Sequence, residues 1–258
     1  MSKPEIINTP KRSGRKPKAQ DGAASNNLNK ELVLAHALKL LQNETADVVT
    51  IARLAADLGV STGLIHYFVG SRDALLATIL NERRKVFALE LKIPKGNWRR
   101  QLESLLVQTH ESKLTWKGVT TYLAENNRHR LFHDIQPGER DYGLLYFDTF
   151  GRIMQSGGFS GTQAAHAYHL SMLFLESVAI SHIRHRVPSD HNRFLIQHMA
   201  QFDQQEYAGA AFMMTSFAKI DTKTTFKSGL KVLLDSFEAW LAKNSIPRKL
   251  PKQPGKPL

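Results

Sequence analysis

The stretch GVSTGLIHYFVGSRDALL, from Gly59 to Leu76, breaks twice within a few turns' length. A helical pattern stops at Gly59, a short run rich in aromatics follows, and Gly70-Ser71 stops the chain again before a longer helix. Glycine supplies the left-handed conformation that ends a helix, and serine supplies an oxygen for the orphan amides that begin the next one. The order is therefore helix, turn, short helix, helix. Upstream, Thr50 caps a helix through Ile51, Leu54, Ala55 and Leu58, whose small residues Ala52, Ala55 and Ala56 admit a closely crossing neighbour. Val60 plugs the turn, and Ser61 or Thr62 caps the short helix over Thr62 to Val69. Its core side is Leu64, Ile65 and Phe68 or Val69, leaving Thr62, Gly63, His66 and Tyr67 outward. Two helices at an angle across a three-residue turn, with an exposed second helix, make the helix-turn-helix layout that enters a major groove.

Working outward, Leu28 to Leu41 reads as a first helix capped by Asn27 or Asn29, with an expected apolar face at 28, 32, 35, 38 and 41. Ser71 caps a helix expected to reach Leu91, closed by Pro94 and Gly96. Beyond Lys95 every segment is better matched by helical than by strand periodicity. Helices are expected near Trp98 to His110, Lys113 to Phe132, Arg140 to Ser156, Thr162 to Arg186, His191 to Ala218 and Thr222 to Asn244. The fold class is all-α. The expected organisation is a basic arm (1–27), a helix-turn-helix unit (28–79), a long all-helical region (80–245) and a basic tail (246–258).

The formal charge of +12 is concentrated at the ends. Residues 1–20 hold six Lys or Arg against one acid, and residues 243–258 hold five against none. The body between is almost neutral. Residues 28–73 have four bases and five acids, so the arm is expected to supply much of the salt-dependent attraction to a polyanion. In SGRKPK, Arg15, Lys16 and Lys18 lie among Gly and Pro, a composition suited to an extended segment in a minor groove. Cysteine is absent, which removes disulfides and thiol chemistry, and no apolar run approaches membrane-spanning length. A cytoplasmic, nucleoid-associated protein is expected, with no membrane partner.

Thr50-Ile51-Ala52-Arg53-Leu54-Ala55, Asp57-Leu58-Gly59-Val60-Ser61, Gly63-Leu64-Ile65 and Gly70-Ser71-Arg72-Asp73-Ala74-Leu75-Leu76 together resemble the DNA-binding domain of TetR-type transcriptional regulators. The resemblance covers Leu28 to about Ile79. His66 stands where the family usually has Tyr, and a one-residue insertion would align Phe68 with the family's Phe. Asn43-Glu44-Thr45 replaces a usual Gly. The resemblance implies a homodimer on a double-stranded DNA operator, acting as a repressor and released by a small-molecule effector. It implies a DNA-binding domain over 28–79 and a helical-bundle ligand-binding and dimerisation domain over 80–245. It also implies base-edge contacts from Ser61, Thr62 and Tyr67, or Phe68 as an alternative, with Gly63 letting the backbone approach closely, and phosphate contacts from Thr50, His66 and Arg72. The segment TFKSGLKVLLDSFEAWL resembles the family's terminal dimerisation helix, with Phe226, Leu230, Leu233, Phe237 and Trp240 as the expected seam.

An effector pocket is expected from aromatic, Met and polar residues of the second domain: Trp116, Tyr122, Phe150, Met154, His166, His169, Met172 and Glu176. His166, His169 and Glu176 form one polar stripe, assigned either to that pocket or to the dimer seam. A metal site is not expected, since no Cys or adjacent carboxylate accompanies the His pairs, and no cofactor is implied. No HExxH, P-loop, Rossmann glycine pattern or nucleophile elbow is present, so the chain is not read as an enzyme. The rival reading is a helical partner-binding or nucleoid-like protein with mainly non-specific DNA affinity.

Overall fold

The computed structural model describes residues 28–125 and 138–244. The arm with Arg15, Lys16 and Lys18, residues 126–132 of the expected Lys113–Phe132 helix, and the basic tail lie outside the described residues. Within them the chain is all-helical: α1 (Lys30–Asn43), α2 (Ile51–Leu58), α3 (Thr62–Val69), α4 (Arg72–Glu90), α5 (Trp98–Thr115), α6 (Lys117–Glu125), α7 (Tyr142–Ser156), α8 (Gly161–Ile183), α9 (Asn192–Met199), α10 (Ala208–Phe217) and α11 (Thr222–Asn244).

The starts of α1 to α4 are set by single oxygens. Asn29 Oδ1 accepts from Leu32 N at 2.8 Å, Thr50 Oγ1 from Arg53 N at 3.1 Å, Ser61 Oγ from Leu64 N at 3.3 Å and Ser71 Oγ from Ala74 N at 3.2 Å. Gly59 ends α2 at φ 67°, where a Cβ would be strained, and the amide of Val60 then donates back to Ala55 O. The tight turn that follows swings α3 across α2.

Two apolar clusters organise the molecule. The first gathers Val33, Leu34, Ala37 and Leu41 of α1, Leu54 of α2, Ile65 and Val69 of α3, and Leu75, Leu76, Ile79 and Leu80 of α4. The face of α1 therefore differs from the expected one: Leu32 and Ala35 are exposed, and the buried row runs one position later along the Leu-Val-Leu run. That run offers two registers, and packing on α3 and α4 selects between them. The second cluster joins Leu102, Leu105 and Leu106 of α5, Phe150, Ile153 and Met154 of α7, Ala167 and Leu175 of α8, and Leu230, Leu234 and Phe237 of α11.

The two clusters are linked by α4 and α6. Val119 of α6 is buried in the first cluster, and Trp116, Tyr122 and Leu123 pack against it. Gly118 lets α6 approach the end of α1 at backbone distance. Asn81 in α4 is buried and bonds the chain entering α7 in both directions: its Nδ2 donates to Arg140 O at 2.9 Å and its Oδ1 accepts from Tyr142 N at 3.1 Å.

Three expected helices differ by four or more residues at one end or are split in two. The Trp98 helix continues through His110 to Thr115, and the next begins only after Trp116, whose side chain turns down onto the first cluster. The expected helix His191–Ala218 is two helices. Asp203 accepts from Gln205 N at 2.8 Å, and its carbonyl accepts from Tyr207 N, so residues 200–207 form a capped turn between α9 and α10. Neither α9 nor α10 buries a residue. Their hairpin is closed at its base by Asn192 Nδ2 donating to Ala218 O and by Ser189 N donating to Ile220 O.

Candidate nucleic-acid interface and ligand cavity

The short helix α3 is fixed from behind and open in front. Ile65 and Val69 are buried on its inner side, and Leu64 and Phe68 are half-buried. Thr62, Gly63, His66 and Tyr67 share the outer face, with Tyr67 81% exposed. Phe68, expected among the DNA contacts, is half-buried and packs against the first cluster, in a T-shaped contact with Tyr67 at 5.3 Å between centroids. An eight-residue helix leaves one side for the core, and at position 68 that side wins.

The polar residues around α3 carry structural duties as well. The oxygens of Thr50 and Ser61 are occupied as caps, leaving each hydroxyl proton to donate outward. His66 Nδ1 lies 2.9 Å from Gly70 O. A carbonyl only accepts, so the ring proton sits on Nδ1 and a neutral His66 offers Nε2 as an acceptor. An acceptor suits a base-edge amino group better than a phosphate, so the expected phosphate role of His66 requires a protonated ring. Arg72 opens α4, with its guanidinium 3.9 Å from Asp47.

Behind the interface, His36 of α1 and Arg53 of α2 converge on Asp57, at 3.0 Å and 2.8 Å from Oδ2. Those hydrogen bonds, His36 first and Arg53 next, hold the Asp57 carboxyl below its usual range. The clasp ties the positioning helix to α1.

A second feature lies where α4 leaves the first cluster. A cavity of about 180 Å³ opens between the upper half of α4 and α5 to α8. Its walls include Arg83, Arg84 and Phe87 of α4, Thr109, Ser112 and Lys113 of α5, Val119, Thr120 and Leu123 of α6, Tyr142 and Tyr146 of α7, and Tyr168 and Met172 of α8. Arg83 Nη2 donates to the Ser112 hydroxyl, and its guanidinium carbon is 5.7 Å from the Phe87 ring centroid. Burial pushes its pKa down to about 10, which leaves it charged at neutral pH. Tyr146 shares a 2.9 Å hydrogen bond with Thr109, and burial pushes its phenol well above the ordinary range.

Of the eight expected pocket residues, only Met172 lines this cavity. Phe150 and Met154 are wholly buried in the second cluster, and Trp116 and Tyr122 pack on the first. His166 and His169 face solvent from α8, and Glu176 lies a turn beyond the cavity wall. Of the residues expected at the dimer seam, Leu230 and Phe237 are buried within the protomer, and Phe226, Leu233 and Trp240 are partly buried beside them. Phe226 stacks on His110 at 4.0 Å. The periodicity of α11 reported burial but not against what. Sequence reasoning missed Arg83 and Arg84, because NERRKVF resembles a solvated helix face. The one available signal was a paired Arg between Leu80 and Phe87 on the same helix.

No family model and no curated protein matches the sequence. Solved structures do match. Apo ActR from Streptomyces coelicolor superposes with a TM-score of 0.68 at 17% identity, covering 84% of this chain and 98% of that one. ActR in complex with actinorhodin gives 0.68 at 19%, covering 83% and 98%. A single-substitution variant of TetR from Acinetobacter baumannii AYE, in complex with minocycline, gives 0.59 at 18%, covering 86% and 100%. Such likenesses at low identity bear on architecture, and they agree with the capped α2–α3 turn and the bundle behind it: this chain has the TetR-type fold.

Proposed function

We propose that the chain is a homodimeric, sequence-specific DNA-binding regulator that represses from an operator and leaves it when a small molecule fills the cavity beside α4. The observation that carries the reading is α3, which is anchored by Ile65 and Val69 and presents Thr62, Gly63, His66 and Tyr67 to solvent. No packing reason accounts for Tyr67 on that face, whereas a groove supplies base edges and thymine methyls at that depth. The arm's charge adds the non-specific part of the affinity.

Release follows from the walls of the cavity. They include α4, whose first half carries α3 through Gly70-Ser71, and α6, which rests on α1. A ligand that binds better to one arrangement of α4 and α6 shifts the spacing of the two recognition helices in the dimer. Structures of this fold in complex with actinorhodin or minocycline support the idea of a small-molecule ligand. The dimer surface consists of apolar side chains the protomer leaves uncovered: Leu170 and Leu173 of α8, Val232 of α11, and Phe194, Phe212 and Met213 of the α9–α10 hairpin.

Genome-wide mapping of bound sites, followed by salt titrations on a mapped site and on random DNA, tests the function. A mapped site should bind at least about a hundredfold more tightly at physiological salt. Equal binding to both DNAs at every salt refutes sequence-specific regulation and favours the non-specific, nucleoid-like alternative.

A further inference from the structure

The described lining of the cavity has one sign of charge. Among its described lining residues Arg83, Arg84 and Lys113 are cations, and none is an acid. The carboxylate that acts on Arg83 is Glu90, an exposed residue at the end of α4 and not part of the lining. Arg83 is held from several sides. Its Nη2 is engaged by Ser112, its plane lies by Phe87, and its Nε is shut from solvent with no hydrogen-bond partner. A buried guanidinium N–H without an acceptor is costly, and the fork of donors on Arg matches a planar oxyanion.

The rest of the lining is apolar or phenolic. Phe87, Leu91, Leu123 and Met172 supply hydrocarbon, and Tyr146 and Tyr168 supply ring faces. An apolar cavity of about 150 Å³ holds a benzene-sized molecule. The 180 Å³ here therefore suits a body of one or two rings.

We propose that the ligand of this cavity is a one- or two-ring aromatic oxyanion, its charged group on the Arg83 guanidinium beside Ser112 and its rings between Phe87 and Tyr168. The proposal deepens the effector reading given above and rests on it for its regulatory meaning. Its chemistry can be tested separately. Selection works by charge: a neutral isostere would leave Arg83 Nε unsatisfied, and a cation would be repelled by the guanidinium.

The test is calorimetric titration of the full chain with 1-naphthoate and with 1-naphthamide, which has the same rings and no charge. Naphthoate is expected to bind at least tenfold more tightly. Arg83→Met should abolish that preference while leaving the amide's affinity within threefold, and Arg83→Lys should retain part of it. Circular dichroism verifies folding of both variants, and the Lys variant keeps the test decisive if the Met variant does not fold. Equal affinities for the two probes, no binding of either at millimolar concentration, or an undiminished preference in both folded variants overturns the proposal. DNA affinity measured with and without naphthoate distinguishes the two levels. Charge-selective binding that leaves DNA affinity unchanged upholds the anion site and rejects its role as effector site.

Discussion

Gly118 of α6 lies directly against the main-chain carbonyl of Glu44 at the end of α1: a Cβ built on Gly118 would stand 1.8 Å from the Glu44 oxygen and 2.7 Å from that of Leu41. Backbone oxygens cannot swing aside as a flexible side chain would. The contact therefore fixes the height of α6 above α1, and one face of α6 belongs to the cavity wall.

Gly118→Ala should consequently destabilise the protein by about 1–3 kcal/mol, the usual cost of overpacking, and lower Tm by roughly 2–12 °C. Because α1 braces α2 and α3, DNA affinity should change together with Tm. A thermal melt and a DNA titration indistinguishable from wild type would show that α6 rides loosely on α1.

Tyr67 and Phe68 are adjacent yet should separate cleanly. Tyr67→Ala removes an exposed ring and should leave stability within about 0.5 kcal/mol, while weakening binding to a mapped site by about 1–3 kcal/mol. Phe68→Ala removes a half-buried ring of the first cluster and should cost about 2–3 kcal/mol of stability. Denaturant titration beside DNA anisotropy reads both quantities. A stable Phe68→Ala variant that has lost DNA recognition would reverse the assignment.

His110 links stability to pH. It is buried, stacked on Phe226, and held down to about 4 by desolvation, with His182 and Lys113 adding repulsion. The unfolded chain binds the proton near 6.5, so between about 4 and 6.5 it holds more protons than the folded one. Its contribution to stability is full above about pH 6.5 and is lost as pH falls toward 4, by about 3 kcal/mol at the limit. His110→Phe keeps the stack and should flatten the Tm profile between pH 7.5 and 5. An unchanged profile would assign that pH dependence to other groups, since the depressed carboxyls of Asp57, Asp221 and Asp235 titrate lower.

The proposed dimer surface on α8 and the expected seam on α11 give a pair of contrasting variants. Leu173→Glu places a charge on an exposed apolar position of α8 and should yield a folded monomer by mass measurement at micromolar concentration. Phe237→Ala acts inside the protomer and should cost about 3–5 kcal/mol of stability. If Leu173→Glu remains dimeric, the α9–α10 hairpin becomes the surface to test, starting with Phe212→Glu, where the ring is 87% exposed.

Removing residues 1–20 takes away six bases and one acid. The log–log salt slope of DNA binding should become shallower by about 5 at most. An unchanged slope would dismiss the arm from the interface.

What the sequence revealed was local. Asn29, Thr50, Ser61 and Ser71 act within three residues of themselves, and Gly59 acts through its own dihedral angle, so the helix-turn-helix unit was legible without knowledge of neighbours. What stayed hidden was relational. The stripe on α11 could equally have met another protomer or α5 and α8, and only packing distinguishes the two. Phe150 and Met154 resembled pocket residues because apolar bulk has the same sequence appearance in a core and around a ligand. Arg83 resembled surface because its burial depends on α5 and α7 closing over it.

Asn81, the buried amide that clasps the start of α7, lies nine residues from Arg72 and nine from Glu90, the two ends of α4. At the rise of an α-helix each arm is about 13 Å long. A rod gripped at its midpoint has unit mechanical advantage, so displacement at the cavity end returns at the recognition end undiminished and opposite in direction. A tilt of about 5° would carry each end through roughly 1 Å. Asn81→Ala would remove the fulcrum while leaving both ends chemically intact.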